Sequence, residues 1–281
     1  MACYLRPEST TEALNALASA PYTVLAGGTD FYPTRVGQAL TEPVLDISAL
    51  DDLRGITASE QGYRIGALTT WSELLHAELP PCFAGLQQAA REIGGIQIQN
   101  TGTVGGNLCN ASPAADGIPN LLALDAEVEL LSAQGSRRLP LAGFILGNRR
   151  TARRPDELLS ALHIPAASTG GHSAFLKLGA RRYLVISIVM VAVVLTRDQD
   201  GVLQDVRLAV GACSETAQRL HRLEQVLCGQ RYSPALLQRI SPQLLEPLHP
   251  IDDVRGSARY RLSATVTLLQ RALRQLLETT P

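Results

Sequence analysis

The chain has 281 residues, 25 Lys+Arg against 26 Asp+Glu, a formal charge of -1 and a pI near 6.5. That balance excludes the basic stripe by which a protein displaces counterions from nucleic acid, and no segment reaches the ~18 apolar residues that a membrane span needs. The length suits two domains, and with 46% hydrophobic but only 4% aromatic residues their cores must be filled by aliphatic side chains.

Residues 1–7 show no charged stretch followed by an apolar run, so no secretory signal is read and the cytoplasm is the expected location. Ser9-Thr10-Thr11-Glu12 is a capping box before a helix through about Ser19, and Pro21 stops it ahead of a short buried strand, Tyr22 to Ala26. Gly27-Gly28-Thr29-Asp30 follows at the strand's carboxyl end. A second strand, Val44 to Ser48, closes this small α/β unit. The pattern restarts at Leu53 with a strand at Tyr63 to Ala67, a second capping box at Thr70-Trp71-Ser72-Glu73 and a helix from about Pro81 to Ile93, ended by Gly94-Gly95. Ile96 to Ile118, rich in Gly, Asn, Thr, Ser and Pro and uncharged until Asp116, reads as a long functional loop. Glu127 to Ala133, Arg137 to Leu141 and Leu158 to Ile164 read as strands, and Gly170-Gly171 as a domain boundary.

The last third reads as α+β. Strands are expected at Ser173 to Leu178, Tyr183 to Leu195 and Val202 to Val210, the last two joined by an Asp198-Gln199-Asp200-Gly201 hairpin. Helices follow at about Glu215 to Leu227, Pro234 to Leu245 and Gly256 to Leu277, the last with Leu262, Val266, Leu269, Leu273, Leu276 and Leu277 on one face. The cysteines at 3, 82, 109, 213 and 228 match neither a zinc site nor an iron–sulfur cluster, and the histidines at 76, 163, 172, 221 and 249 are scattered. No metal of the chain's own is expected.

Two stretches could carry chemistry. Gly27-Gly28 after a buried strand lets main-chain amides converge on an anion such as a pyrophosphate, and is otherwise a tight turn. The run from Thr101 to Asp116 offers another Gly-Gly amide concavity, small hydroxyl and amide side chains, and one carboxylate suited to sugar-like hydroxyls; otherwise it is a surface Ω-loop. Neither has Gly-x-Gly-x-x-Gly spacing, and Gly-Lys-Ser/Thr is absent, so neither a Rossmann nor a P-loop site is read.

Ala26 to Asp30, Thr101 to Asp116 and Phe175-Leu176-Lys177-Leu178-Gly179-Ala180-Arg181 resemble the signatures of the FAD-binding medium subunit of molybdenum hydroxylases, the family of xanthine dehydrogenase and aerobic carbon monoxide dehydrogenase. Thr151 to Pro165 resembles that family's Thr-x-x-x-Pro-x-Glu segment, and Ile251 to Arg261 its Asp-x-Arg-x-Ser-x-x-Tyr-Arg. The resemblance implies an α+β protein. A two-subdomain FAD-binding fold of the vanillyl-alcohol-oxidase (PCMH) type would occupy residues 1–170, split at about 52, and a C-terminal α/β domain with an antiparallel sheet and helices would occupy 171–281. It implies noncovalent FAD. Val24 and Leu25 to Asp30 (Leu25, Ala26, Gly27, Gly28, Thr29, Asp30) would hold the pyrophosphate with main-chain amides, completed by Gly102, Thr103, Gly105, Gly106 and Asn107, with Cys109 and Ala115 in the same wall. Asp116 would bond the ribityl hydroxyls. Ile93, Gly94 and Ile98 would lie along the adenosine half, and Leu158 and Leu159 near the ring system. Lys177 would be the cation that stabilises the anionic reduced form.

Two positions depart from the family pattern. Gln99 stands where many relatives have Arg, and Val185-Ile186-Ser187 where they have Asp-Ile-Ala, which makes the acceptor side less polar. The implied function is electron transfer: from a small 2Fe-2S ferredoxin-like subunit onto FAD, then to NAD or another acceptor, with a molybdopterin-binding large subunit choosing the substrate. The alternatives are a stand-alone flavin reductase of the same fold, like the enolpyruvyl sugar-nucleotide reductase, and a non-enzymatic scaffold. The former would need a Ser or Glu proton donor, and none stands out.

Overall fold

The computed structural model describes residues 3–279, without the side chain of Thr279; Met1 and Ala2, part of the segment read for a signal, lie outside the described residues. The first unit comprises β1 (Tyr4–Leu5), α1 (Thr10–Ser19), β2 (Thr23–Leu25) and β3 (Val44–Asp46). Ser9 caps α1 by accepting a hydrogen bond from the Glu12 amide, while the Glu12 carboxylate reaches back to the Glu8 amide, one residue further than an ordinary capping box. The three strands form a parallel sheet of order β1-β3-β2. Ala13, Ala16 and Leu17 of α1 pack against its Leu45. β1, only two residues long, carries no pattern that a sequence could reveal.

The second unit continues with β4 (Ile56–Ser59), β5 (Gly62–Gly66), α2 (Trp71–His76), α3 (Ala84–Glu92), α4 (Ile96–Thr101), α5 (Val104–Asn110), α6 (Gly117–Ala123), β6 (Glu127–Ser132), β7 (Gly135–Pro140), α7 (Leu141–Phe144), β8 (Ile145–Gly147), β9 (Arg150–Thr151) and β10 (Leu158–Pro165). Its antiparallel sheet has the order β4-β5-β10-β6-β7, and β8-β9 is a separate hairpin. The Thr70–Glu73 capping box is complete and opens α2 itself, not the later helix. The expected long loop at 96–118 is largely helical instead. Thr103 caps α5 by accepting from the Gly106 amide, and a Cβ at Gly105 would lie 2.7 Å from Ala67, so the glycines let a helix press against the end of β5. Small residues there mean close packing, not looseness.

The third unit has β11 (His172–Leu178), β12 (Val189–Arg197), β13 (Leu203–Gly211), β14 (Gln218–Arg219), α8 (His221–Leu227), α9 (Pro234–Gln238) and α10 (Ala258–Thr279), with the four strands antiparallel in numerical order. The apolar run of β12 serves two cores at once. Val191, Val193 and Leu195 face the cluster built with α10, while Ala192 and Val194 join the cluster of the second unit on the opposite face. α6, buried along its whole length, lies against that opposite face.

Three expectations shift here. The strand expected from Tyr183 starts only at Val189. Leu184 is left-handed at φ 51°, and the Arg181 guanidinium donates to its carbonyl, so 179–187 is a loop closed by Ile188 N–H to Leu178 O. The helix expected from Glu215 starts at His221, because Gln218 and Arg219 pair with β13. The helix expected to run to Leu245 ends at Gln238, and Pro242–Leu244 is a separate 3-10 turn.

Candidate functional site

An open cleft of about 530 Å³ lies between the first parallel sheet and the second unit. One wall is the end of β2 with the loop through Asp30; the other combines α5, Trp71, Gly102 and Thr103 with Arg149, Thr151, Arg153, Leu158 and Leu159. Such a volume is ordinary for a cofactor or small-ligand site.

The two glycine stretches play different parts. Among the described residues, no protein acceptor is bonded to the amides of Gly27, Gly28, Thr29 or Asp30. Those four residues line the cleft with their N–H groups unspent. Gly27 is required by a close approach, since a Cβ there would sit 2.0 Å from the Thr101 carbonyl oxygen. Gly28 is required by its φ of +70°. At the second stretch the amides are engaged within the protein. Val104 donates to Thr69 O, Gly105 to Ala67 O at 2.8 Å and Gly106 to the Thr103 hydroxyl at 3.0 Å. This stretch therefore shapes the cleft without offering the second set of amides expected of it. Asn107 lines the cleft, but its Oδ1 atom is buried without a hydrogen-bond partner, on the side of Gly117.

Every site position expected from sequence lines the cleft except Gly94, Ala115, Asp116 and Lys177. Gly94, at φ 59°, turns the chain after α3 against Ile98. Ala115 is buried in the core beside α6. Asp116 and Lys177 are spent on each other at 2.5 Å, and the second carboxylate oxygen accepts from Ser187 at 2.7 Å. Burial pushes the Asp116 carboxyl up, while the Lys177 ammonium and the Ser187 hydroxyl pull it back toward ionisation. Lys177 is the chain's single lysine. It tethers the third unit to the second and opens instead onto a separate groove with Arg181, Arg182 and Val185.

Gln99, in place of the basic residue, is buried and donates to the Arg91 carbonyl, tying α4 to the end of α3. Burial raises the Cys109 thiol to about 11, so it lines the cleft as a neutral group. Sequence reasoning missed Trp71, Phe31 and the three cleft arginines, Arg35, Arg149 and Arg153. A signal for two of these was present, since four arginines fall within residues 149–154. Arg35 lies over the Phe31 ring and pairs with Glu42. Arg149 reaches across from the β8–β9 turn to Asp30 at 3.0 Å.

Residues 1–167 match the description of an FAD-binding domain in molybdopterin dehydrogenase, and residues 174–276 that of a CO dehydrogenase flavoprotein C-terminal domain. The chain is similar to the xanthine dehydrogenase FAD-binding subunit of Escherichia coli O157:H7, 32% identical over 277 residues that cover 97% of this chain and 94% of that one. It is 30% identical to the glyceraldehyde dehydrogenase medium chain of Sulfolobus acidocaldarius, covering 97% of each. Among solved structures, a chain of the reconstituted CO dehydrogenase from Oligotropha carboxidovorans superposes with a TM-score of 0.89 at 29% identity, covering 99% of this chain and 98% of that one.

Proposed function

The chain belongs to the family of FAD-binding subunits of molybdopterin dehydrogenases, and we propose that it takes electrons from iron–sulfur centres of a partner subunit and passes them to NAD or another acceptor. It is an oxidoreductase component whose cofactor is FAD, and the reading takes that FAD to be held noncovalently. The observation that carries the reading is the row of four unspent amides from Gly27 to Asp30 at the edge of the cleft. Consecutive main-chain N–H groups suit a diphosphate. Ile93, Ile98, Leu158 and Leu159 give apolar walls to flat rings. These residues fit FAD.

Bound FAD supplies a carrier that accepts electrons singly or in pairs. The chain's own residues bind it, orient it and exclude water. They do not build a relay, since an iron–sulfur centre usually takes four protein ligands and the five cysteines include no pair closer than Cys213 and Cys228. Electrons therefore arrive from outside. The reading assigns a small 2Fe-2S subunit and a molybdopterin-binding large subunit as stable partners, in the cytoplasm. No described helix is long and apolar enough to cross a membrane.

Stopped-flow oxidation of the reduced protein by NAD, a quinone analogue and dioxygen tests the acceptor. A rate with NAD above the buffer control is expected, and a rate equal to it removes NAD. Affinity capture of the chain should bring down the two partner chains, and the isolated chain should hydroxylate no heterocycle or aldehyde. Hydroxylation by a molybdenum- and iron-free preparation would overturn the proposal.

A further inference from the structure

Lys177, the cation expected beside the cofactor, is neutralised by Asp116 with both side chains under a tenth exposed. The charge that complements an anion in the cleft must come from elsewhere. Three guanidinium groups line it among the described residues. Arg35 is committed to Glu42 at 2.7 Å and Arg149 to Asp30 at 3.0 Å. Arg153 differs. Its Nη1 donates to three main-chain carbonyls, those of Glu157 at 2.6 Å, Arg154 at 3.1 Å and Pro155 at 3.5 Å. Carbonyls fix the position of a guanidinium without cancelling its charge. The neighbouring Glu157 carboxylate is turned away, to Arg137 at 2.6 and 2.8 Å.

Arg153 also faces a particular part of the cleft. α5 packs against β9, which ends two residues before Arg153, and Arg153 and Cys109 both line the cleft, where the arginine's charge draws the thiol down against its burial. Cys109 stands three and four residues after Gly106 and Gly105, so all three share one face of α5. That face lines the cleft but its glycine amides are spent inside the protein. The Gly27–Asp30 wall offers free N–H groups; the α5 wall offers none from its glycines and has a pinned, half-buried guanidinium beside it.

We propose that Arg153 is the cationic positioning residue for the cofactor's diphosphate, opposing the main-chain amides of Gly27 to Asp30 across the cleft. This rests on the reading of the cleft as the FAD site. A charge-assisted contact of this kind is worth about ten- to a hundredfold in affinity.

The test uses the full chain, freed of flavin, with FAD and ADP as probes. Calorimetry gives both dissociation constants at low and high salt, and spectroelectrochemistry gives the midpoint potential of rebound FAD. Arg153→Gln should weaken FAD and ADP alike by about ten- to a hundredfold, flatten the salt dependence and leave the potential in place, and Arg153→Lys should recover part of the loss. Unchanged ADP affinity in a folded Arg153→Gln chain, or a moved potential with FAD affinity intact, would overturn the proposal. Should that variant fail to fold, the unaltered chain decides: FAD affinity falling with salt supports it, and salt-independent affinity overturns it. A wild-type chain that binds neither probe defeats the FAD reading itself, whereas normal wild-type binding with an unaffected variant defeats only the role of Arg153.

Discussion

Gly27 is hemmed in by main chain rather than by side chains that could turn aside: the nearest atoms to an added Cβ are the Thr101 carbonyl oxygen at 2.0 Å and its carbon at 2.8 Å. Gly27→Val must therefore lift the loop that carries the free amides, and we expect folded protein without flavin. Absorbance at the flavin band with far-UV circular dichroism checks this, and full flavin retention would contradict it. Asp116 changes meaning between sequence and structure. Read from sequence it is a ribityl partner; in the fold it holds a buried ammonium. Removing one partner of such a pair costs about 3–5 kcal/mol, so Asp116→Ala should lower the urea midpoint sharply and make Lys177 reactive to amine reagents. With a single lysine in the chain, peptide mapping separates label on Lys177 from label on the α-amino group. Unaltered stability with weakened FAD binding would restore the original role.

At the scale of elements, capping signals were legible because they are local. Ser9 and Thr70 stand where their side chains bond backbone amides three residues on, and α1 and α2 begin there. The 96–118 segment misled because composition speaks of backbone freedom, while Thr103 and Gly105 are used for a cap and for contact with Ala67. The cleft glycines were legible for the same reason they were over-read: the residue type shows that a Cβ is forbidden, not whether an anion or another backbone forbids it. β12 begins later than its apolar run because Leu184 and Arg181 fold the loop first, a contact no periodicity encodes. The β8–β9 turn offers a test at this scale. Arg149 is left-handed at φ 56°, which costs roughly 1–2 kcal/mol, and its exposed bond to Asp30 is worth about 0.2–1 kcal/mol. Arg149→Gly should thus leave stability equal or slightly higher while speeding flavin release, because the tie across the cleft is lost. Thermal unfolding and a flavin-release time course check the two parts. A large loss of stability would show that the pair outweighs the strain.

The whole molecule is held as one body by charge and by a shared strand. Asp125, at the end of α6, takes Arg207 at 3.0 Å and Arg219 at 2.7 Å from the third unit, and Ser168 bonds the same carboxylate. The family-like segment at 251–261 proves architectural. Arg261 donates to the carbonyls of Ile188 and Ala212 and pairs with Asp253, fixing the end of the 179–187 loop. The Arg255 amide, with the Arg261 and Arg255 guanidinium groups, holds the Asp253 carboxyl at about 2 against an ordinary 3.8. A depressed carboxylate stabilises the fold fully above its unfolded value and loses that contribution as pH falls through the folded one. Asp253→Asn should accordingly flatten the pH dependence of the melting temperature between about pH 4 and pH 2; an unchanged slope there would remove Asp253 from the account. Whether FAD sits noncovalently in the cleft between the first sheet and α5 is decided by the flavin content of the purified chain. The purified protein should be yellow with one FAD per chain, all of it released into solution on acid precipitation and rebound by the stripped chain but not by Gly27→Val. A colourless chain that takes up no FAD, or flavin that stays with the precipitate, would contradict it.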